Sequence, residues 1–157
     1  MHGIPGQIAI NPVALQGDHH VLPAKPLRVL VVDGELLIRW SLSAALEEHG
    51  HHVAVAADRD AALHALQTEP LDVILLDCHL ADATDLELLR IVRRRAPETP
   101  VVGMTAFPSR ELTRRAGSCG VARLLEKPFD VFEIERVLLD ECAKAAADRT
   151  AKSSSLP

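Results

Sequence analysis

From residue 27 onward, short apolar runs alternate with stretches in which apolar residues recur every three or four positions. The runs occupy residues 27–32, 52–56, 72–76, 100–104 and 121–125. Three of them, LRVLVV, DVILL and PVVGM, are almost continuously apolar, the mark of strands covered on both faces. Between them, Ile38, Leu42, Ala45 and Leu46 make a helical stripe that Gly50 stops. Ala62, Leu63 and Leu66 make a second stripe behind Asp58. Thr84 and Asp130 stand three residues before Glu87 and Glu133, so each predicts a capping box ahead of an apolar helix. Ser109 predicts the cap of the helix between the last two strands. Such alternation, with crossovers of helical length, predicts an α/β fold: a five-stranded parallel sheet with helices on both faces.

The flanks differ. Residues 1–26 hold four of the ten prolines and three of the eight glycines, and are expected to be a flexible extension. Residues 27–147 form the predicted domain, and 148–157, DRTAKSSSLP, the predicted flexible tail.

Composition narrows the function classes. A net charge of −5 with no long basic run weighs against nucleic acid or an anionic membrane as partner. The three cysteines are odd in number and show no CxxC spacing, which favours a reducing compartment. Without a long apolar run or a signal-like start, the expected location is the cytoplasm, away from the membrane. His49, His51 and His52 cluster around Gly50, and His19–His20 form a pair. Their spacing matches no familiar zinc site, so a solvated helix end is the expectation for the cluster. Arg93, Arg94 and Arg95 read as another solvated terminus that suits the helix dipole.

In open parallel sheets, chemistry gathers beyond the carboxyl ends of the strands. Here the first run is followed by Asp33 and Glu35, the third by Asp77, Cys78 and His79, the fourth by Thr105 and the fifth by Lys127 and Pro128. Clustered carboxylates repel unless a cation lies among them, and hard oxygen donors suit Mg²⁺. A cation, an ammonium and a hydroxyl can together stabilise a phosphoryl group arriving at a nucleophilic carboxylate.

In order and spacing, LRVLVVDGE, DVILLDCHL, PVVGMTA and LLEKPF resemble the four signature segments of bacterial response-regulator receiver domains. The resemblance implies a flavodoxin-like (βα)5 fold and phosphotransfer from a sensor histidine kinase or phosphotransfer protein, without enzymatic turnover. It makes Asp77 the phospho-acceptor, Thr105 the switch hydroxyl and Lys127 the phosphoryl contact. It gives Mg²⁺ the ligands Asp33, Asp77 and the backbone carbonyl of His79, and a cis bond before Pro128. It also implies output to a downstream protein, or to a second copy in a homodimer, through a face spanning residues 109–143. The stretch LLIRWSLSAAL is similar to receivers that precede ATPase-type activators, but the sequence stops at Pro157, so output by protein contact is the expectation.

The chain departs from the family pattern at several places. Gly34 stands where a second acid is usual, leaving Glu35 as the candidate substitute ligand. Leu124 replaces the usual aromatic switch residue, and the loop LADATD carries Ala81 and Asp85 in place of proline and glycine. Phe107 is read either as a shield for the acyl phosphate or as an exposed loop aromatic. Two further readings follow: a pseudo-receiver that binds partners without phosphotransfer, and a small aspartate-nucleophile phosphatase. The phosphatase reading suffers because His79 occupies the place of its second acid.

Overall fold

The structure, a computed structural model, describes residues 25–79 and 87–154. Most of the N-terminal extension, His19–His20, the Thr84 cap and the LADATD loop lie outside the described residues. Five strands and five helices alternate: β1 (Arg28–Val32), α1 (Leu36–Glu48), β2 (His52–Ala56), α2 (Arg59–Thr68), β3 (Val73–Asp77), α3 (Glu87–Arg95), β4 (Val101–Thr105), α4 (Arg110–Ser118), β5 (Val121–Glu126) and α5 (Val131–Ser154). The strands form one parallel sheet in the order β2-β1-β3-β4-β5. The order reverses between β1 and β3, which is where a doubly wound sheet opens a crevice at its carboxyl edge.

Alternation along the strands feeds two cores. Val29, Val31, Leu75 and Met104 pack with Leu42 and Leu46 of α1 and Ile134 and Leu138 of α5. Leu30, Val32, Ile74 and Leu76 pack on the other face with Ala62 of α2 and Leu88, Leu89 and Val92 of α3. This two-sided burial explains why β3 and β4 are buried at every position and contain almost no polar residue before their last one.

The predicted caps at Asp58 and Ser109 form: Asp58 accepts from the Ala61 N–H at 2.9 Å, and Ser109 from the Leu112 N–H at 3.0 Å. Asp130 caps α5 through the Phe132 N–H at 2.7 Å, one residue earlier than a capping box with Glu133 predicts.

Three expectations are corrected. The predicted tail at 148–157 is helical as far as Ser154, because the alanine-rich stretch 145–147 continues α5 without a breaker. Arg149 then donates to the Glu98 carbonyl at 3.5 Å, and Lys152 lies 3.6 Å from the Glu98 carboxylate.

The histidine cluster is not a solvated helix end. His49 and His51 are buried and bracket Glu135 of α5: His49 Nδ1 lies 2.6 Å from Oε2, and His51 Nε2 lies 3.1 Å from Oε1. The backbone N–H of Leu27 donates to His51 Nδ1 at 3.1 Å. That nitrogen therefore holds a lone pair, so a neutral His51 carries its proton on Nε2 and donates it to Glu135. The clamp ties the end of α1 and the start of β1 to α5, while His52 alone of the three is exposed.

Arg93 is likewise not simply solvated. Its guanidinium donates to the carbonyls of Pro97, at 3.1 Å, and Thr99. Its stem lies against Gly120, where a Cβ would stand 2.5 Å from Arg93 Cδ and where φ is +92°. Only glycine meets both demands at low cost.

Burial alone would raise the Glu135 carboxyl, but hydrogen bonds from His49 and His51 outweigh it and hold the group below its ordinary value. A lowered carboxylate stabilises the fold above its unfolded pKa and loses that contribution as pH falls through the folded value. Glu135→Ala should therefore cost about 1.5–3 kcal/mol at neutral pH. Urea unfolding should show this penalty shrinking as pH falls below about 4, where the unfolded carboxyl protonates first and the folded one, held lower, follows.

Candidate functional site

Backbone pairing at the strand ends brings the polar residues together. Asp33 N–H donates to Ala56 O at 3.1 Å, Cys78 N–H to Met104 O at 2.9 Å and Lys127 N–H to Thr105 O at 2.8 Å. Each bond extends the sheet's register by a residue, so Asp33, Asp77, Thr105 and Lys127 emerge at one edge.

Lys127 is the hub. Its ammonium lies 2.6 Å from Asp33 Oδ2, 3.6 Å from Asp77 Oδ2 and 3.7 Å from Glu35 Oε1. Asp33 is fully buried, and its other oxygen accepts the Glu35 N–H at 2.8 Å, closing the tight turn that leads into α1. Asp77 keeps 7% of its surface accessible, and its Oδ1 accepts the His79 N–H at 3.0 Å. Burial alone would lower the Lys127 ammonium, but the Asp33 hydrogen bond and the three negative charges more than offset it and raise the group.

Thr105 is buried and held from two sides. Its Oγ1 accepts the Phe107 N–H at 3.1 Å and shares a hydrogen bond of 2.9 Å with His79 Nε2. The Phe107 ring meets the His79 ring edge-on, with centroids 5.6 Å apart, while Phe107 itself is 75% exposed. The Lys127–Pro128 bond is cis. Leu124 sits where β4 leaves room: a Cβ on Gly103 would stand 2.8 Å from both Leu124 Cδ1 and Cys78 Sγ. Burial pushes the Cys78 thiol up to about 11, so it stays protonated beside Asp77 and acts as packing.

Sequence spacing missed three contacts. The His79 imidazole on Thr105 and the close Lys127–Asp33 pair depend on how the loops turn beyond the strands, which no local pattern encodes. The third is Arg39, whose guanidinium donates to the Asp33 carbonyl at 2.7 Å from one turn into α1.

Asp33, Asp77, Glu35 and the His79 carbonyl are hard oxygen donors of the kind Mg²⁺ takes. Among the described residues, however, no three ligand-type side chains converge on a common metal position. The three carboxylates share the ammonium of Lys127 instead, so a divalent cation has to compete with that ammonium for Asp33.

The doubly wound sheet is the five-stranded parallel fold that the receiver resemblance implies. The family model of the response regulator receiver domain matches residues 29–139, and the chain belongs to this family. Over 114 residues the chain is 35% identical to the DNA-binding transcriptional regulator NtrC of Proteus hauseri, covering 70% of this chain and 24% of that protein. It thus spans only about a quarter of that relative. A CheY-like receiver domain protein from Methanospirillum hungatei superposes with a TM-score of 0.73 at 22% identity, covering 79% of this chain and 99% of that one, a likeness of fold. The beryllofluoride-activated NtrC4 receiver domain dimer superposes with a TM-score of 0.69 at 30% identity, covering 75% and 98%. Among the described residues no helix is long and apolar enough to cross a membrane.

The ammonium's role can be measured directly. Lys127 is 91% enclosed, and replacing it with Met leaves buried Asp33 uncompensated, at a cost of about 3–5 kcal/mol at neutral pH. A raised lysine stabilises the fold below its unfolded pKa and stops doing so as pH rises through its folded value. The wild type should therefore show an alkaline loss of stability above about pH 10 that Lys127→Met lacks, seen in thermal melts across that range.

Proposed function

We propose that the chain takes a phosphoryl group onto Asp77 from a histidine kinase or phosphotransfer protein and signals by protein contact. The observation that carries this reading is the convergence of Asp33, Asp77 and Glu35 on the Lys127 ammonium, at 2.6, 3.6 and 3.7 Å. One carboxylate oxygen of Asp77 forms a bond to phosphorus. The bond from phosphorus to the donor's imidazole nitrogen breaks, and its electron pair returns to that nitrogen. Lys127 offsets the charge of the arriving oxygens, and Thr105 Oγ1, released from His79, hydrogen-bonds one of them. When bound, Mg²⁺ supplies further charge neutralisation; Asp33, Asp77, the His79 carbonyl and Glu35 are the residues that would hold it.

Leu124 cannot act as an aromatic rotor, so the change at Thr105 reaches the surface through His79, Phe107 and the start of α4. The proposed output face runs over residues 109–143, with a downstream protein or a second copy as partner; the dimeric NtrC4 receiver domain is a precedent for the latter. A pseudo-receiver is the second reading. Gly34 favours it, together with a Lys127 that already neutralises the acids where a metal would act.

Intact-mass spectrometry after incubation with acetyl phosphate separates the two. A gain of one phosphoryl group that needs Mg²⁺ and disappears in Asp77→Ala is expected. No gain, at any Mg²⁺ concentration and with a panel of kinases, favours the pseudo-receiver.

Gly34 is not among the positive-φ glycines of the described residues, Gly50 and Gly120, so its backbone does not itself demand glycine. Gly34→Asp restores a second acid, and affinity follows ligand charge and count. Titration calorimetry should show Mg²⁺ binding about tenfold tighter or more in this variant.

A further inference from the structure

Residues 90–123 carry eight arginines, no lysine and only two acids, Glu98 and Glu111, a formal charge of +6. The chain as a whole is −5, so every other part of it together carries −11. The positive charge is gathered on α3, α4 and β5. A groove of about 580 Å³ runs between α3 and α4, lined by Glu87, Arg90, Arg93, Arg94, Ser118 and Cys119. Arg90 and Arg94 are one helical turn apart and exposed, and Arg114 lies one turn before Ser118 on the same side of α4.

Helix dipoles account for only part of this pattern. Arg93–Arg95 end α3, where cations are favoured, but Arg90 lies in the first half of that helix and Arg110 opens α4 at its positive end. An ordinary solvated face interleaves charges of both signs. Here Glu87 is matched by Arg59 through two contacts of 3.0 and 3.2 Å, and Glu111 meets Arg114 only at 3.8 Å. Among the described residues no carboxylate pairs with Arg90 or Arg94.

We propose that the α3–α4 groove is a docking surface for a carboxylate-rich protein segment of a partner. Arginine forks bind carboxylates with two parallel hydrogen bonds, and the Arg59–Glu87 pair already displays this mode on the groove's edge. A long nucleic acid fits less well. Its phosphates would run past the patch onto a surface carrying the −11, and none of the groove-lining residues is an aromatic on which a base could stack. A short acidic segment keeps its charges within about a Debye length, roughly 8 Å, of the arginines. The groove runs along α3 from Glu87 to Arg94 and meets the end of α4, and neither Asp77 nor Lys127 lines it. Docking there does not depend on whether Asp77 accepts phosphate.

The test titrates the full chain with a poly-glutamate peptide, following amide shifts by NMR at low and high salt. Shifts confined to α3 and the end of α4, weakened by salt, are expected. Arg90→Glu/Arg94→Glu should bind about tenfold more weakly or worse, with the exposed Lys144→Glu on α5 unchanged. Circular dichroism checks that the variants are folded. Absence of binding at low salt would overturn the proposal, as would equal binding by the double variant. A DNA duplex that binds the same residues more tightly than poly-glutamate would also overturn it, in favour of a nucleic-acid site.

Discussion

Parallel pairing of the four strands β1, β3, β4 and β5, continuous but for one shift between Val101 and Val102 against β5, is the constraint on which the rest depends. Val32 faces Leu76, Asp77 faces Met104 and Thr105 faces Glu126, so the residues that follow each strand reach the same edge at the same height. A slip of one residue in any strand would turn its apolar set from one core to the other. It would also carry an acid or Lys127 to the wrong side. The two cores therefore fix the register, and the register fixes the site. Hydrophobic burial on both faces thus holds three carboxylates near one another despite their repulsion.

The fold was legible because both of its signals are local. Strands buried on both faces leave unbroken apolar runs, and Asp58, Ser109 and Asp130 mark helix starts through contacts within a few residues. The site was half legible for the same reason: strand ends can be counted, so Asp33, Asp77, Thr105 and Lys127 could be placed at one edge. What could not be read were contacts between residues far apart in sequence. His49 and His51 looked like a wet helix end because nothing nearby indicates Glu135, more than eighty residues away. Arg93 looked solvated because its acceptors are backbone carbonyls beyond the helix, and carbonyls leave no trace in composition. The last turns of α5 looked like a tail because DRTAKSSS is polar, although polarity on an exposed helix face costs little once packing upstream has nucleated the helix.

The clamp around Glu135 and the cluster around Lys127 solve the same electrostatic problem in opposite ways. At the clamp one half-buried carboxylate is satisfied by two ring nitrogens, and the arrangement is closed: each carboxylate oxygen has a partner. At the cluster one ammonium is divided among three carboxylates, and only Asp33 holds it at hydrogen-bonding distance. The second arrangement is under-neutralised, with an excess of negative charge that an added cation would offset.

Gly34 sharpens that distinction. With a second acid at this position the cluster would hold four carboxylates against one lysine, and a divalent cation would be needed to relieve the repulsion. With glycine there, three carboxylates and one ammonium leave a smaller excess, which Glu35, largely in solvent, reduces further by screening. The site is therefore more self-sufficient without metal than an acid-paired one would be, and a cation gains less by entering it. The same deletion lowers the barrier to holding Lys127 close to Asp33, since fewer negative charges compete for the ammonium. Weaker metal binding than an acid at residue 34 would give, and a tight Lys127–Asp33 pair, are both expected of one missing side chain, and such an acid should reverse both together.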